Sequence, residues 1–304
     1  MGGNILSSDL HMESFNEAAL EALSQNEIYQ AQTLFRQNAK KNPCFITFNN
    51  LGVFHVFEGL VKSDNSGRRA TKLGVRYLKK AEAYQKSNLT LLALGSVCSD
   101  AKDYEEASEY FRQACELKPD YASIYNCGVS YYMQGEYGEA VQWFQKALDI
   151  CNSDYYSEMF IPYTFSLLYS NKKEFLEAFH KMLKFKSESM EWETFIFAYF
   201  ADELLMAESQ IEYMLENFSL DIHDMAIVFD CLLKLGKEEK ATEYLKQKLE
   251  NLEESDYNMQ PEINRMKKAL FHAHYRAKLI ADYRHKIPFI EQCCYYGCKQ
   301  HNPI

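Results

Sequence analysis

The chain is short of the residues that punctuate structure, with six Pro and twelve Gly among 304 positions. So few breakers exclude long linkers and low-complexity segments. No stretch approaches 18 uninterrupted apolar residues, which excludes a membrane-spanning helix. No charged lead followed by an apolar run opens the sequence, so no secretory leader is expected. Basic charge is also short: 33 Lys and Arg against 43 Asp and Glu give a net charge of −10. That balance disfavours nonspecific binding to nucleic acid or to an anionic membrane, and permits a basic partner. The nine cysteines are scattered and odd in number, unlike the even count of a short disulfide framework. Free thiols in a reducing, cytoplasmic setting are expected. Signatures of catalysis are missing as well: no G-x-G-x-x-G, no P-loop, no H-E-x-x-H. "GVSYY" (128–132) fails G-x-S-x-G, because Tyr132 stands where the last Gly should be. The expectation is a protein that is not an enzyme and needs no cofactor.

What is present is a repeat. Gly95, Tyr104, Ala107, Phe111 and Ala114 recur 33 residues later as Gly128, Tyr137, Ala140, Phe144 and Ala147. Each small residue has a physical reason. Gly inside a helix costs about 1 kcal/mol relative to Ala, which is tolerable where two helices must approach closely. Ala107 and Ala114 leave room for the same contact, Phe111 fills the gap between units, and Pro119 stops the second helix. This alternation resembles the tetratricopeptide repeat (TPR), a helix–turn–helix unit of about 34 residues. The resemblance is strongest over residues 88–150. Upstream, Ala31, Phe35 and Pro43 keep its spacing, and Gly52 follows Pro43 by nine residues, as Gly128 follows Pro119. Gly74 and Ala81 come ten residues late, making "VKSDNSGRRA" (61–70) an insertion that reads as a loop or a helix extension. Downstream, Phe175, Ala178, Ala207, Gly236 and Ala241 keep parts of the pattern. The fold expected is an all-α, TPR-like α-α superhelix, a solenoid of about seven helical pairs over residues 12–257. Residues 1–11 are read as a flexible N-terminus. "MGGNILSS" misses an N-myristoylation signal because Leu6 occupies the place of Ser or Thr. Residues 258–304 are read as C-terminal capping helices and a Cys-rich tail of the same domain.

The resemblance implies a function: in TPR proteins the first helices of successive units line a concave groove that binds peptides. Carried over unit by unit, the groove positions fall on Asn49, Asn50, Phe57, Leu92, Ser99, Tyr125, Asn126, Tyr132, Tyr163, Thr164, Trp192, Tyr199 and Phe200. The asparagines suit an extended peptide backbone, and the aromatics offer contact area at low entropy cost. The same aromatics also suit packing between helices. Glu17 and Asp100 map inward, so a ligand carrying Lys or Arg is favoured. Asn50 and Asn126 match the asparagines of the clamp with which some TPR co-chaperones hold a C-terminal carboxylate. Its cationic positions are Leu89, Ala93, Phe160 and Thr164, so that clamp is absent. The expected protein is a scaffold or adaptor that binds a protein or peptide, with neither nucleic acid nor membrane as partner.

The end of the chain carries two further expectations. In "PFIEQCCYYGCKQH", Pro288 suits a first helical position, Phe289, Cys293 and Tyr296 share one helical face, and Gly297 suits a cap. A last helix is the reading, with Cys293 packed and Cys298 outside it. The alternative is a metal-dependent or redox sensor or enzyme using Cys293, Cys294, Cys298 and His301, although C-C-x3-C-x2-H lacks the paired spacing of structural zinc sites. Residues 262–285 read as one long helix. Over residues 265–286, Arg265, Lys267, Lys268, Arg276, Lys278, Arg284 and Lys286 form a basic patch for an acidic partner or for self-association.

Overall fold

A computed structural model describes residues 3–62, 64–151, 156–184, 191–217, 220–244 and 272–299, with a few isolated positions between the last two stretches. Every regular element among them is helical. The order is α1 (Gly3–Ser24), α2 (Ile28–Lys41), α3 (Phe45–Val61), α4 (Asn65–Tyr84), α5 (Asn88–Asp100), α6 (Tyr104–Leu117) and α7 (Tyr121–Gln134). It continues through α8 (Tyr137–Ile150), α9 (Tyr156–Ser170), α10 (Lys172–Met182), α11 (Glu191–Phe200), α12 (Leu204–Asn217), α13 (Ile222–Lys234) and α14 (Ala273–Ala281). Residues 238–244 are also helical. Among the described residues the helices thus follow one another as seven successive pairs before α14, the number expected.

The chain divides into two compact units. One comprises Met1–Cys151 together with Pro288–Ile304; the other comprises Asn152–Ile287. In the first unit the local causes of each helix are visible. Asp103 and Asp120 accept backbone N–H groups of Glu106 and Ser123 at the starts of α6 and α7, and Ser87 does the same for Thr90 at α5; each such cap contributes about 1 kcal/mol. Glu105 and Glu106 lie in the first turn of α6, where they favour the helix dipole. Gly135 closes α7 with a left-handed φ of 83°.

The small and aromatic repeat positions form the core. Ala107, Phe111, Ala114, Ala140, Phe144 and Ala147 have no exposed surface. A side chain on Gly95 would meet the Phe111 ring at 2.7 Å, and one on Gly128 would meet Phe144 at 2.9 Å. In these two pairs the glycine of the first helix is therefore a seat for the aromatic ring of the second. Cys127 is fully buried in this core and Cys98 packs against it.

Residues 65–70 of the insertion extend α4. α3 runs to Val61 and α4 starts at Asn65, capped by Asp64 on the N–H groups of Ser66 and Gly67. The crossing of these long helices is lined by glycines seven residues apart on each: Gly52 and Gly59 on α3, Gly67 and Gly74 on α4. A Cβ on Gly74 would lie 2.7 Å from the carbonyl oxygen of Gly52, and one on Gly67 would lie 2.8 Å from that of Gly59. Backbone meets backbone there, a contact only glycine permits. Residues 3–11, read as a frayed lead, belong to α1.

In the second unit, Phe175, Phe179, Phe195 and Phe197 are fully buried, as are Ala207 and Cys231. The long helix expected over 262–285 is interrupted: His272 has φ −109° and ψ 103°, and α14 starts after it. Arg276 is buried rather than part of a basic face. Its Nε donates to Asp230 Oδ1 at 3.0 Å, and Tyr199 and Lys234 contact Oδ2 of the same carboxylate at 2.8 and 3.1 Å. Those three donors hold Asp230 below the usual carboxylate range against the desolvation that would raise it.

Candidate peptide groove

The C-terminal segment is not a helix. Residues 283–295 carry no regular secondary structure, and a turn at Tyr296–Gly297 follows. Cys and Tyr are weak helix formers, and the segment's backbone is instead engaged by asparagines of the first unit.

Asn126 on α7 faces Ile290. Its Nδ2 donates to the Ile290 carbonyl at 2.9 Å, and its Oδ1 accepts the Ile290 N–H at 2.7 Å. Asn50 on α3 does the same six residues further on: Nδ2 donates to the Tyr296 carbonyl at 3.0 Å and Oδ1 accepts the Tyr296 N–H at 2.8 Å. Each primary amide has one donor and one acceptor edge, so it satisfies both backbone groups of a single extended residue without regard to its side chain. Asn49 donates to the Cys294 carbonyl at 2.8 Å and is aimed by Thr90 of α5, whose hydroxyl donates to Asn49 Oδ1 at 2.9 Å. All three asparagines are buried at 0–1% exposure, so their polar edges need these partners.

Side chains of the segment fill places between these contacts. Phe289 stacks on Tyr104 and Phe111 with centroids 6.3 and 6.0 Å apart. Cys294 is buried in the core of α5–α7, which pushes its thiol up to about 12. Tyr295 stacks on Phe35 at 5.7 Å, and Tyr296 meets Phe45 edge-on at 5.3 Å. Gly297 has φ +77°, and a Cβ there would also press on Asn16 Nδ2 at 2.9 Å. Lys299 pairs with Glu17 at 2.9 Å. The segment thus runs from α7 back to α1 across α5 and α3, against the order of the repeats.

The other positions carried over from the repeat pattern are dispersed. Phe57 is 52% exposed, and Leu92 and Ser99 are buried. Tyr125 packs on Tyr121 and Phe144, and Tyr132 lies edge-on to Tyr137. Tyr163, Thr164, Trp192, Tyr199 and Phe200 belong to the second unit, where Tyr199 serves the Asp230 cluster. Asn16 was missed. It donates to the Tyr296 carbonyl at 2.7 Å and accepts from Asn50. It stands 34 residues before Asn50, one repeat length, which is the signal that marks it.

The metal alternative rests partly on His301, which lies outside the described residues. Among those described, no group of three or more His, Cys, Asp or Glu side chains is placed to hold a metal ion. Cys293 and Cys298 are half-buried and Cys294 is buried. Burial first, and then Cys298, raise the Cys293 thiol, so Cys293 is not held as a ready thiolate.

Stacked helix pairs with small residues at the crossings define a helical-repeat scaffold of the protein-interaction class. Family models described as "TPR repeat" and "Tetratricopeptide repeat" match residues 95–135 and 122–154. A tetratricopeptide repeat protein from Parabacteroides merdae aligns over 84% of this chain and 97% of its own, with a TM-score of 0.56 and 15% identity. The apo form of the quorum sensor NprR from B. thuringiensis aligns over 92% and 86%, with a TM-score of 0.57 and 12% identity. In sequence, the human "Cell division cycle protein 16 homolog" is 31% identical over 86 residues, which is 28% of this chain and only 14% of that protein. Residues 95–154 are thus tetratricopeptide repeats, and the fold of the chain is that of a tetratricopeptide-repeat protein. No helix among the described residues is long and apolar enough to cross a membrane.

Proposed function

We propose that the first unit is a peptide-binding groove and that the chain acts as a non-catalytic adaptor for an extended protein segment. One observation carries this reading: Asn50 and Asn126 each hold both backbone groups of one residue in an extended segment, six residues apart. Such contacts fix the direction and register of a ligand, and the rings of Tyr104, Phe111, Phe35 and Phe45 supply its apolar contacts. The thiols of Cys98, Cys127 and Cys294 are all pushed up, burial being the leading cause.

The test uses the full chain with Phe289→Ser and Tyr295→Ser, which removes the anchors of the resident segment, and a fluorescein-labelled peptide of residues 288–299. Anisotropy titration should show saturable binding that Asn50→Ala and Asn126→Ala each weaken about tenfold, as expected for loss of a pair of hydrogen bonds worth about 0.5–1.5 kcal/mol apiece. Binding indifferent to both asparagines, or no binding at all, would refute the groove.

A further inference from the structure

Helix α4 concentrates positive charge in a chain that is acidic as a whole. Between Asn65 and Tyr84 it carries Arg68, Arg69, Lys72, Arg76, Lys79 and Lys80 against the single acid Glu82, while the chain's net charge is −10. All six cations are exposed, and at 100° per residue they fall within an arc of about 120°. The buried Gly67, Gly74, Leu78 and Ala81 occupy the opposite side. The cations thus form one stripe, about 18 Å long from Arg68 to Lys80. Arg68 and Arg69 come from the insertion that lengthens this helix. The added turns are held firmly on α3, because a Cβ on Gly67 would lie 2.8 Å from the Gly59 carbonyl oxygen.

Elsewhere the molecule neutralises exposed charge locally. Arg112 pairs with Glu109 and Glu116 on its own helix, and Lys237 and Lys240 pair with Glu208 and Glu212. On α4, Lys79 pairs with Glu106 at 3.8 Å, and Lys80 lies over the Phe48 ring at 4.0 Å. Among the described residues, Arg68, Arg69, Lys72 and Arg76 make no ion pair. This arrangement works against the helix. Arg68 and Lys72, Lys72 and Arg76, and Arg76 and Lys80 are like charges four residues apart, which repel. Arg68 also stands at the positive end of the helix dipole. A merely solvated face does not need this, since interleaved Glu would hydrate as well and add attraction.

We infer that the α4 stripe is a docking surface for an acidic helical segment of a partner protein. Successive cations lie three or four residues apart, about 4.5–6 Å along the axis. The segment that fits therefore carries Asp or Glu at the same three- and four-residue spacing along one face of its own helix. The aromatics of α4 do not stand in the stripe to stack a base: Tyr77 and Tyr84 pack on Phe48. A long polyanion or an anionic bilayer would also meet the field of a chain at −10, whereas a short acidic segment meets the stripe alone.

The probe is a fluorescein-labelled, alanine-based helical peptide with Glu at three- and four-residue spacing along one face. Anisotropy titration on the full chain at low salt should show saturable binding. The triple variant Arg69→Gln, Lys72→Gln, Arg76→Gln should weaken it at least tenfold, and 0.5 M salt should weaken it on the wild type, because exposed charges are screened. The triple variant should melt no lower than the wild type, since it removes repulsion and no ion pair. A peptide with the same number of Glu spread around its helix should bind at least threefold more weakly. No saturable binding, or binding indifferent to the triple variant, would overturn the surface. A triple variant that melts lower would make the cations structural and overturn it as well. Equal binding of the two peptides would overturn the match of spacing. A single-stranded oligonucleotide of equal charge and vesicles rich in phosphatidylserine are the comparison arms; tighter binding by either, lost in the triple variant, would overturn a protein partner. A wild-type chain that dimerises in sedimentation, and becomes monomeric in the triple variant, would place a second copy on the stripe and overturn the partner too. The groove test uses other residues and another peptide, so the two readings fail separately.

Discussion

Gly74→Ala adds one methyl group to a helix, and intrinsic propensity alone would make it stabilising by about 1 kcal/mol. The crossing of α3 and α4 reverses that sign. The new Cβ would stand 2.7 Å from the Gly52 carbonyl oxygen, 2.8 Å from Val56 N and 2.8 Å from Val56 Cγ2. Carbon and oxygen need about 3.3 Å or more in their closest ordinary contacts, so each contact is short by about half an ångström. Two of the three blocking atoms are backbone, and backbone cannot rotate away as a side chain can. The helices must move apart, loosening the glycine-lined contact along the long crossing. Overpacking of this kind costs about 1–3 kcal/mol, and an obstacle made of backbone belongs at the upper end. With the propensity gain set against it, the net loss is about 2 kcal/mol. For a unit of this size that corresponds to a fall in Tm of about 4–8 °C. Gly138→Ala is the matched control: it lies in α8 with nothing within 4 Å of its Cβ, so propensity acts alone and the variant should be more stable by up to about 1 kcal/mol. Thermal and urea unfolding followed by circular dichroism would measure both. If Gly74→Ala melts at or above the wild type alongside Gly138→Ala, the argument from close approach is wrong.

Gly95→Ala presses on the Phe111 ring instead of backbone, so it should cost about 1 kcal/mol or less net, and Phe111→Leu should leave room for it; a double mutant no more stable than the sum of the singles would deny that coupling. Asp224 is buried at the start of α13, where its carboxylate accepts the Asp221 N–H, and burial pushes its pKa up to about 7. The folded state therefore holds this proton more tightly than the unfolded state does. The contribution is present at low pH and lost as pH rises through about 7. Asp224→Asn keeps an acceptor and should flatten the fall of Tm between about pH 4 and 7; an unchanged slope would refute the assignment. His285, stacked on Phe165 at 4.1 Å and lowered by burial to about 4, acts with the opposite sign. Its contribution is present above pH 6.5 and lost as pH falls toward 4, so His285→Phe should reduce the loss of stability over that range.

The repeat was legible in the sequence because its physics is local and recurrent. Gly95 and Gly128 must be small where a ring crosses a helix, Phe111 and Phe144 must fill the same gap, and the requirement returns with each unit. One repeat predicts the next, so five identities at one spacing were sufficient for the fold and for placing Asn50 and Asn126 on the first helices of their pairs. The end of the chain belongs to no repeat and has no such redundancy. A helical face can be drawn through Phe289, Cys293 and Tyr296, yet the segment is extended, because Asn126, Asn49 and Asn50, some 150 to 250 residues away, satisfy its backbone more completely than a short terminal helix would. Cys294 rather than Cys293 is buried for the same reason. The aromatic list divided similarly: whether Tyr125 or Tyr199 faces a ligand or a neighbouring helix depends on what lies across from it, as the bond from Tyr199 to Asp230 shows. Composition and period determined the class of scaffold. Which segment meets Asn49, Asn50 and Asn126, and which side chains are left for helix packing, was decided by contacts between residues that sequence distance keeps apart.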